Sequence, residues 1–272
     1  MLREFFGFGG YQREPEGYFS AEHLLFVSSL VALMFLFSIF LGIRNRNRDE
    51  KEKNRVLIVC ALVCDALELF KIVLFCVRSQ EPFDFLYSLP LFLCSIQLIA
   101  MPIAAFSKGR LREASLDFVL IFGLLGAILG TYGAGQNYGC YPVLSFDNVV
   151  SGLTHTLSGF ASVYIGVSGM SSMKKRNIPI TFSILLGFCA AAMIANAILD
   201  YNYMFLVRGD GTPYDILYHL VGGNPVLYPM SVIVLFFAYI SIFYLVYFLA
   251  RKYKERKNAN KKARTEDFLC CS

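Results

Sequence analysis

The chain has 272 residues, 56% of them hydrophobic, and carries 25 Lys and Arg against 20 Asp and Glu for a net charge of +5. So apolar a composition leaves little sequence for a soluble domain and marks an integral membrane protein. The basic surplus sits in short links between apolar runs, which points to anionic lipid headgroups. Nucleic acid is excluded as a partner, because no basic stripe is interleaved with aromatics on a folded domain.

In chain order, residues 1–21 form a Gly- and aromatic-rich segment expected to lie on the outer membrane surface. Seven apolar stretches follow, at about 22–43, 55–77, 86–106, 115–133, 149–170, 179–206 and 227–250. Each is near the roughly 20 residues that an α-helix needs to cross about 30 Å of hydrocarbon. Lipid offers the backbone no hydrogen bonds, so spans of this length must be helical. The expected fold class is therefore all-α, a polytopic membrane protein with seven transmembrane helices. The first run lacks a basic segment before it and has one after it, so it reads as an uncleaved anchor.

Charge then orients the chain. The 44–55 link holds Arg44, Arg46, Arg48, Lys51, Lys53 and Arg55, the next link on that side Lys108, Arg110 and Arg112, and the third Lys174, Lys175 and Arg176. With eight more in the tail, 20 of the 25 basic residues fall on one side. The positive-inside rule places the N-terminus outside and the C-terminus in the cytoplasm, in a bacterium across the plasma membrane. The division expected is an outer segment 1–21, a membrane domain 22–250 and a basic cytoplasmic tail 251–272, helical at first and then disordered. The turn-rich outer links 134–148 and 207–226 are natural rims for anything opening outward.

The eight Cys show no CxxC spacing and no metal framework. Cys60 and Cys64 share a helix face. Cys76 and Cys140 both fall near the outer surface, where a disulfide is open to them. Cys270 and Cys271 end the basic tail, where S-acylation is open to them, while the ending LCCS is not a prenylation box. Metal binding is disfavoured, because His are few, and no cofactor is expected. No GxSxG elbow, HExxH pair or Gly-rich phosphate loop occurs. The last span has no Lys for a Schiff base, which argues against a retinal pigment.

Polar side chains inside spans are costly, so their depth is informative. A rise of 1.5 Å per residue puts Glu68 about 13 Å, Cys94 about 12 Å, His155 about 9 Å, Asn196 about 15 Å and Asp200 about 9 Å from the outer boundary. They occupy one layer, with His23 at the mouth of the first span. Each has a plain alternative. Glu68 has Lys71 and Asp65 within its own helix as neutralising or competing neighbours, and Cys94 can be a small packing residue. His155 stands between Thr154 and Thr156 in a Gly/Ser/Thr-rich helix suited to close packing. If they meet, the chemistry is nucleophilic: a thiol activated by an imidazole, with Glu68, Asp200 or Asn196 orienting the ring. The rival reading takes Asp65, Glu68, Lys71 and Asp200 as the path of a transporter or small-molecule binding protein.

Five segments carry a family resemblance: YFSAEHLLF, LPLFLCSIQLIAMPIAAF, LTHTLSGF, NAILDYNYMFL and PYDILYHLVGGNPVLYPM. Together they resemble the YwaF-type integral membrane family, which extends to the animal transmembrane-protein-164 group. The resemblance implies an acyltransferase or acyl-ester hydrolase acting on membrane lipids, with a phospholipid or lysophospholipid substrate. It also implies a nucleophile and a His, which fall on Cys94 and His155. Two departures stand out: Phe92 occupies the place of the His in the common LPLHLC motif, and GGNPVLY replaces the aromatic-rich GPWPWY loop.

Overall fold

The structure is a computed structural model that describes residues 2–171 and 173–270, with side chains as far as Lys257. Helices and turns make up the described residues, without a strand. They are α1 Leu2–Phe5, α2 Ala21–Asn45, α3 Glu50–Ser79, α4 Gln97–Phe106, α5 Gly109–Tyr132, α6 Gly135–Cys140, α7 Phe146–Ser168, α8 Ile178–Leu199, α9 Asp215–Leu220 and α10 Leu227–Cys270. The tail, expected to leave the helix after a short continuation, belongs to α10 as far as Cys270. The tail thiols Cys270 and Cys271 lie outside the described side chains.

Local chemistry fixes where the long helices begin. Ser20, Asp49 and Ser145 stand in extended conformation before α2, α3 and α7, and each side chain accepts a hydrogen bond from the backbone N–H three residues on. Those bonds satisfy donors that a helix start otherwise leaves unpaired. Gly169 ends α7 in the left-handed region at φ 73°, where a residue without a Cβ sits freely.

Four stretches are long and apolar enough to cross a membrane: Ala21–Asn45, Gly109–Cys140, Lys175–Leu199 and Leu227–Lys257. The 30-residue α3 and the 23-residue α7 have the length but carry polar side chains mid-helix. In α7 those polar groups are mostly buried, because α7 packs against α5, α2 and α3 and is the hub of the bundle.

The α5–α7 contact is unusually close. A Cβ on Gly123 would lie 2.6 Å from the Ser158 carbonyl oxygen, and one on Gly159 would lie 2.5 Å from the Ala127 Cβ. Ser162 crosses the gap to donate to the Leu120 carbonyl at 2.6 Å. Small residues let backbones approach where lipid supplies no hydrophobic force between helices.

One expected span is broken. Residues 86–106 read as a continuous helix, yet they form a 3-10 turn at Asp84–Ser88, an irregular stretch, and then only the ten-residue α4. Pro90 is the reason. Its ring disfavours helical geometry at Leu89, which adopts φ −60° and ψ 148°, and it offers no N–H to continue a ladder. The freed backbone groups find other partners: Tyr203 donates its hydroxyl to the Leu86 carbonyl and accepts from the Leu89 N–H at 3.2 Å. Ser95 pairs with both the N–H and the carbonyl of Phe92. Irregular backbone of this kind is tolerated at membrane depth only when buried in protein or lining a cavity.

The charged links collect at one end. Arg112 pairs with Glu50 at 3.3 Å, and Glu113 pairs with Lys174 at 2.6 Å and Arg176 at 3.0 Å. Beneath them a buried carboxylate, Asp117, accepts from Ser171 (2.5 Å), Asn177 (3.1 Å) and Tyr244 (3.0 Å). This network ties α5, the 171–177 link and α10 together.

The opposite end is capped by residues 2–20. Arg78 forms a two-pronged ion pair with Asp147 (2.7 and 2.8 Å), and Tyr11 donates to the same carboxylate at 2.6 Å. Burial by itself would raise Asp147, but the guanidinium and the Tyr11 hydroxyl outweigh it and hold the carboxyl below its usual range. Burial, reinforced by Asp147, pushes Tyr11 up to about 12. Phe5 and Phe6 add edge contacts to Phe146 and Phe70. Cys76 and Cys140 are both free thiols here, so the disulfide open to them in the sequence is not formed.

Candidate functional site

Four segments converge on one cavity of about 250 Å³. From α3 come Cys64, Glu68 and Lys71, spaced i, i+4, i+7 along one helix face. From α7 come Ser151, Thr154, His155 and Ser158, again one face. The irregular stretch before α4 supplies Phe92, Cys94 and Ser95, and Asn137 of α6 closes one side.

The broken span is what presents Cys94. In a continuous helix the residue's surroundings would follow helical rise, and the depth reckoned from Leu86 does not apply to an unwound segment. Cys94 instead sits on the stretch between Leu89 and α4 and is half-buried, its thiol free.

The α5 backbone lies against both Cys94 and His155. A Cβ on Gly130 would fall 2.3 Å from His155 Nδ1, so the imidazole lies directly on the bare backbone there. A Cβ on Gly126 would lie 3.5 Å from the Cys94 Cβ. Positions 126 and 130 are one turn apart, about 6 Å along the axis. Cys94 and His155 thus rest on successive turns of α5 and face a shared hollow. Among the described residues no hydrogen bond joins the Cys94 thiol to the imidazole.

Glu68 pairs with Lys71 at 2.5 Å inside the cavity. That is the neutralising partner the i, i+3 spacing offered. The pair keeps two part-buried charges from standing alone. Cys64 spends its thiol on the Thr154 carbonyl at 3.7 Å, and Ser158 donates to the same carbonyl at 3.1 Å.

The other sequence candidates take different places. Asn196 does not line the cavity: its amide accepts from Tyr203 N–H at 2.6 Å and donates to the Tyr203 carbonyl at 3.1 Å, closing the turn after α8. That turn aims the Tyr203 hydroxyl at the broken span, so Asn196 acts on the cavity wall from a distance. Asp200 is exposed, ends α8 at φ 50° and does not line the cavity. His23 is buried in a plug at the capped end. There it bonds the Thr131 carbonyl at 3.2 Å, accepts from Phe19 N–H at 3.1 Å, and packs on Tyr138 with ring centroids 4.0 Å apart. None of these three orients the imidazole. Of the six candidates, Cys94, His155 and Glu68 come together.

Sequence reasoning passed over Ser151 and Ser158, although their i, i+7 spacing about His155 was a readable polar stripe. It also passed over Asp117, a carboxylate inside an apolar run.

An apolar hollow of about 640 Å³ adjoins this site on the outer face of α3, and the two share Ser88 and Leu89 in their walls. A free thiol, an imidazole and an ion pair therefore stand beside an apolar groove. The model of the TMEM164 family matches residues 18–247 of the chain, a range that contains every element described at the site. No curated protein and no solved structure matches it.

Proposed function

Because the chain belongs to the TMEM164 family and is an integral membrane protein, we propose that it is a lipid-modifying enzyme that moves or hydrolyses a fatty acyl group of a phospholipid. The observation that carries the reading is the convergence of Cys94 and His155 on one hollow, seated on adjacent turns of α5. In the first step His155 takes the Cys94 thiol proton, and the sulfur attacks the ester carbonyl carbon. A C–S bond forms, the ester C–O bond breaks, and His155 returns the proton to the departing glycerol oxygen. In the second step a lysophospholipid hydroxyl or a water attacks the thioester, its proton passes by way of His155 to the sulfur, and the thiol is restored. Glu68 and Lys71 line the same hollow and shape its field.

The proposal includes the threading: seven membrane passages, with α3, the broken segment with α4, and α7 forming the inner ones. The N-terminus is outside, and the basic tail is in the cytoplasm beneath a plasma membrane. It is supported by the gathering of the basic links at one end and by the polar faces of α3 and α7 turning toward each other rather than toward lipid.

The test is acyl exchange by purified protein with labelled phospholipid. Cys94→Ala and His155→Ala each abolish turnover while the protein stays folded, and full turnover in either variant refutes the reading. The Glu68–Lys71 pair favours one rival, a transporter. Under that rival, uptake into proteoliposomes depends on Glu68 and is indifferent to Cys94.

A further inference from the structure

Two faces of α3 lead to two adjoining spaces. Glu68 and Lys71 point into the polar cavity, while Leu69, Ile72, Val73 and Val77 line the larger hollow on the neighbouring face. Phe85 and Leu89 of the broken segment close its far side. Leu69 (63%), Val73 (51%) and Val77 (57%) are strongly exposed, so this hollow opens sideways from the bundle. A sideways opening on an apolar helix face meets hydrocarbon when the protein is in a bilayer. Ser88 and Leu89 line both that opening and the space that holds Cys94. The Tyr203 hydroxyl holds the backbone on either side of Ser88, at the Leu86 carbonyl and the Leu89 N–H.

The shared wall decides what fits. A wholly apolar ligand would have no use for the polar compartment, and a soluble polar one would have no use for the groove. The ligand must be long and apolar at one end and charged at the other. Lys71 is the one cation among the residues lining the cavity, and its partner Glu68 lies on the same helix, so an incoming anion competes with a local, exchangeable pair.

We propose that the groove between α3 and residues 82–90 seats one acyl chain of a membrane phospholipid whose phosphate pairs with Lys71. This rests on the reading of Cys94 as the nucleophile only for its purpose, since the seat itself is a binding site. The chain lies along Leu69, Val73 and Val77, the ester bends inward over Ser88 and Leu89 to the cavity, and the three N–H donors of Lys71 are shared between Glu68 and the phosphate.

Photo-crosslinking in nanodiscs tests the seat without requiring turnover. The probes are a phosphatidylcholine with a diazirine midway along one acyl chain and a diacylglycerol carrying the same group. In the full-length protein with Cys94→Ala, the phosphatidylcholine probe labels peptides covering 69–77 and 82–90 in preference to the lipid-facing sides of α2, α8 and α10. Val73→Trp, which fills the groove from an exposed position, lowers that labelling about tenfold. Lys71→Met removes the preference for phosphatidylcholine over diacylglycerol and leaves diacylglycerol labelling as it was.

Labelling spread evenly over all lipid-facing helices overturns the seat, as does Val73→Trp with undiminished labelling. An unchanged preference in Lys71→Met overturns the phosphate contact. Should Cys94→Ala retain acyl exchange while the groove is still labelled, the enzymatic reading fails and the seat stands. If Cys94→Ala abolishes exchange while Val73→Trp leaves both labelling and long-chain turnover intact, the reverse holds.

Discussion

Replacing Gly130 with Ala probes the site through a residue that carries no chemistry. An added Cβ would stand 2.3 Å from His155 Nδ1, 2.4 Å from Cε1 and 2.5 Å from Cγ, well inside the 3.4 Å of ordinary contact. The imidazole must retreat by about 1 Å, and displacements of that size in a reacting group cost about 100-fold in rate. On stability the same change works the other way, since Ala favours a helix over Gly by about 1 kcal/mol, which offsets part of the repacking. The companion Gly126→Ala puts a Cβ at 3.5 Å from the Cys94 Cβ, an ordinary contact that displaces nothing.

The expected pair of results is therefore asymmetric. Gly130→Ala lowers acyl exchange about 100-fold with a thermal midpoint near that of the parent, and Gly126→Ala changes turnover by no more than about twofold. The assay is transfer of labelled acyl groups in detergent, alongside thermal unfolding of the same preparations. Full activity in Gly130→Ala would refute the placement of His155 against α5, and equal losses in both variants would refute the argument from close approach.

Three further outcomes follow from the packing. Tyr203→Phe leaves the Leu86 carbonyl and Leu89 N–H without their partner, costing about 1–3 kcal/mol and speeding hydrogen exchange at Leu89, which mass spectrometry of the 84–92 peptides reads directly. Asp117→Ala strands the Ser171, Asn177 and Tyr244 donors. It lowers stability by about 3 kcal/mol or more, seen as a drop in thermal midpoint, while turnover per folded molecule is kept. The capped end should open in acid. Asp147 is held below the ordinary carboxylate range by Arg78 and Tyr11, so its contribution is complete above an unfolded value of about 3.9 and is lost as pH falls through the lower folded value. Limited proteolysis of residues 2–20 should therefore stay slow near neutral pH and rise only below about pH 4, whereas Asp147→Asn should be cleaved readily at pH 7 with little acid response.

Length and hydropathy alone determined that this is an apolar, all-helical membrane protein, because bilayer thickness and the need for internal hydrogen bonds leave a chain few other choices. Family membership was also legible, in short motifs scattered from Tyr18 onward. Helical spacing carried the Glu68–Lys71 pair and the polar face around His155, since neighbours at i, i+3 and i+4 are fixed by geometry local to one helix. The break before α4 was half-visible in Pro90, but apolar composition masked it.

What only tertiary structure decided is which polar groups meet. Depth along a helix axis says nothing of rotation about it, so Asn196 and Asp200 shared a layer with Cys94 yet went to a turn and a helix end, and His23 at the mouth of the first span went to an aromatic plug. Cys94 and His155 come to one hollow because glycines on a third helix let two chain segments approach its backbone. That is a property of surfaces in contact, which no single segment's sequence contains.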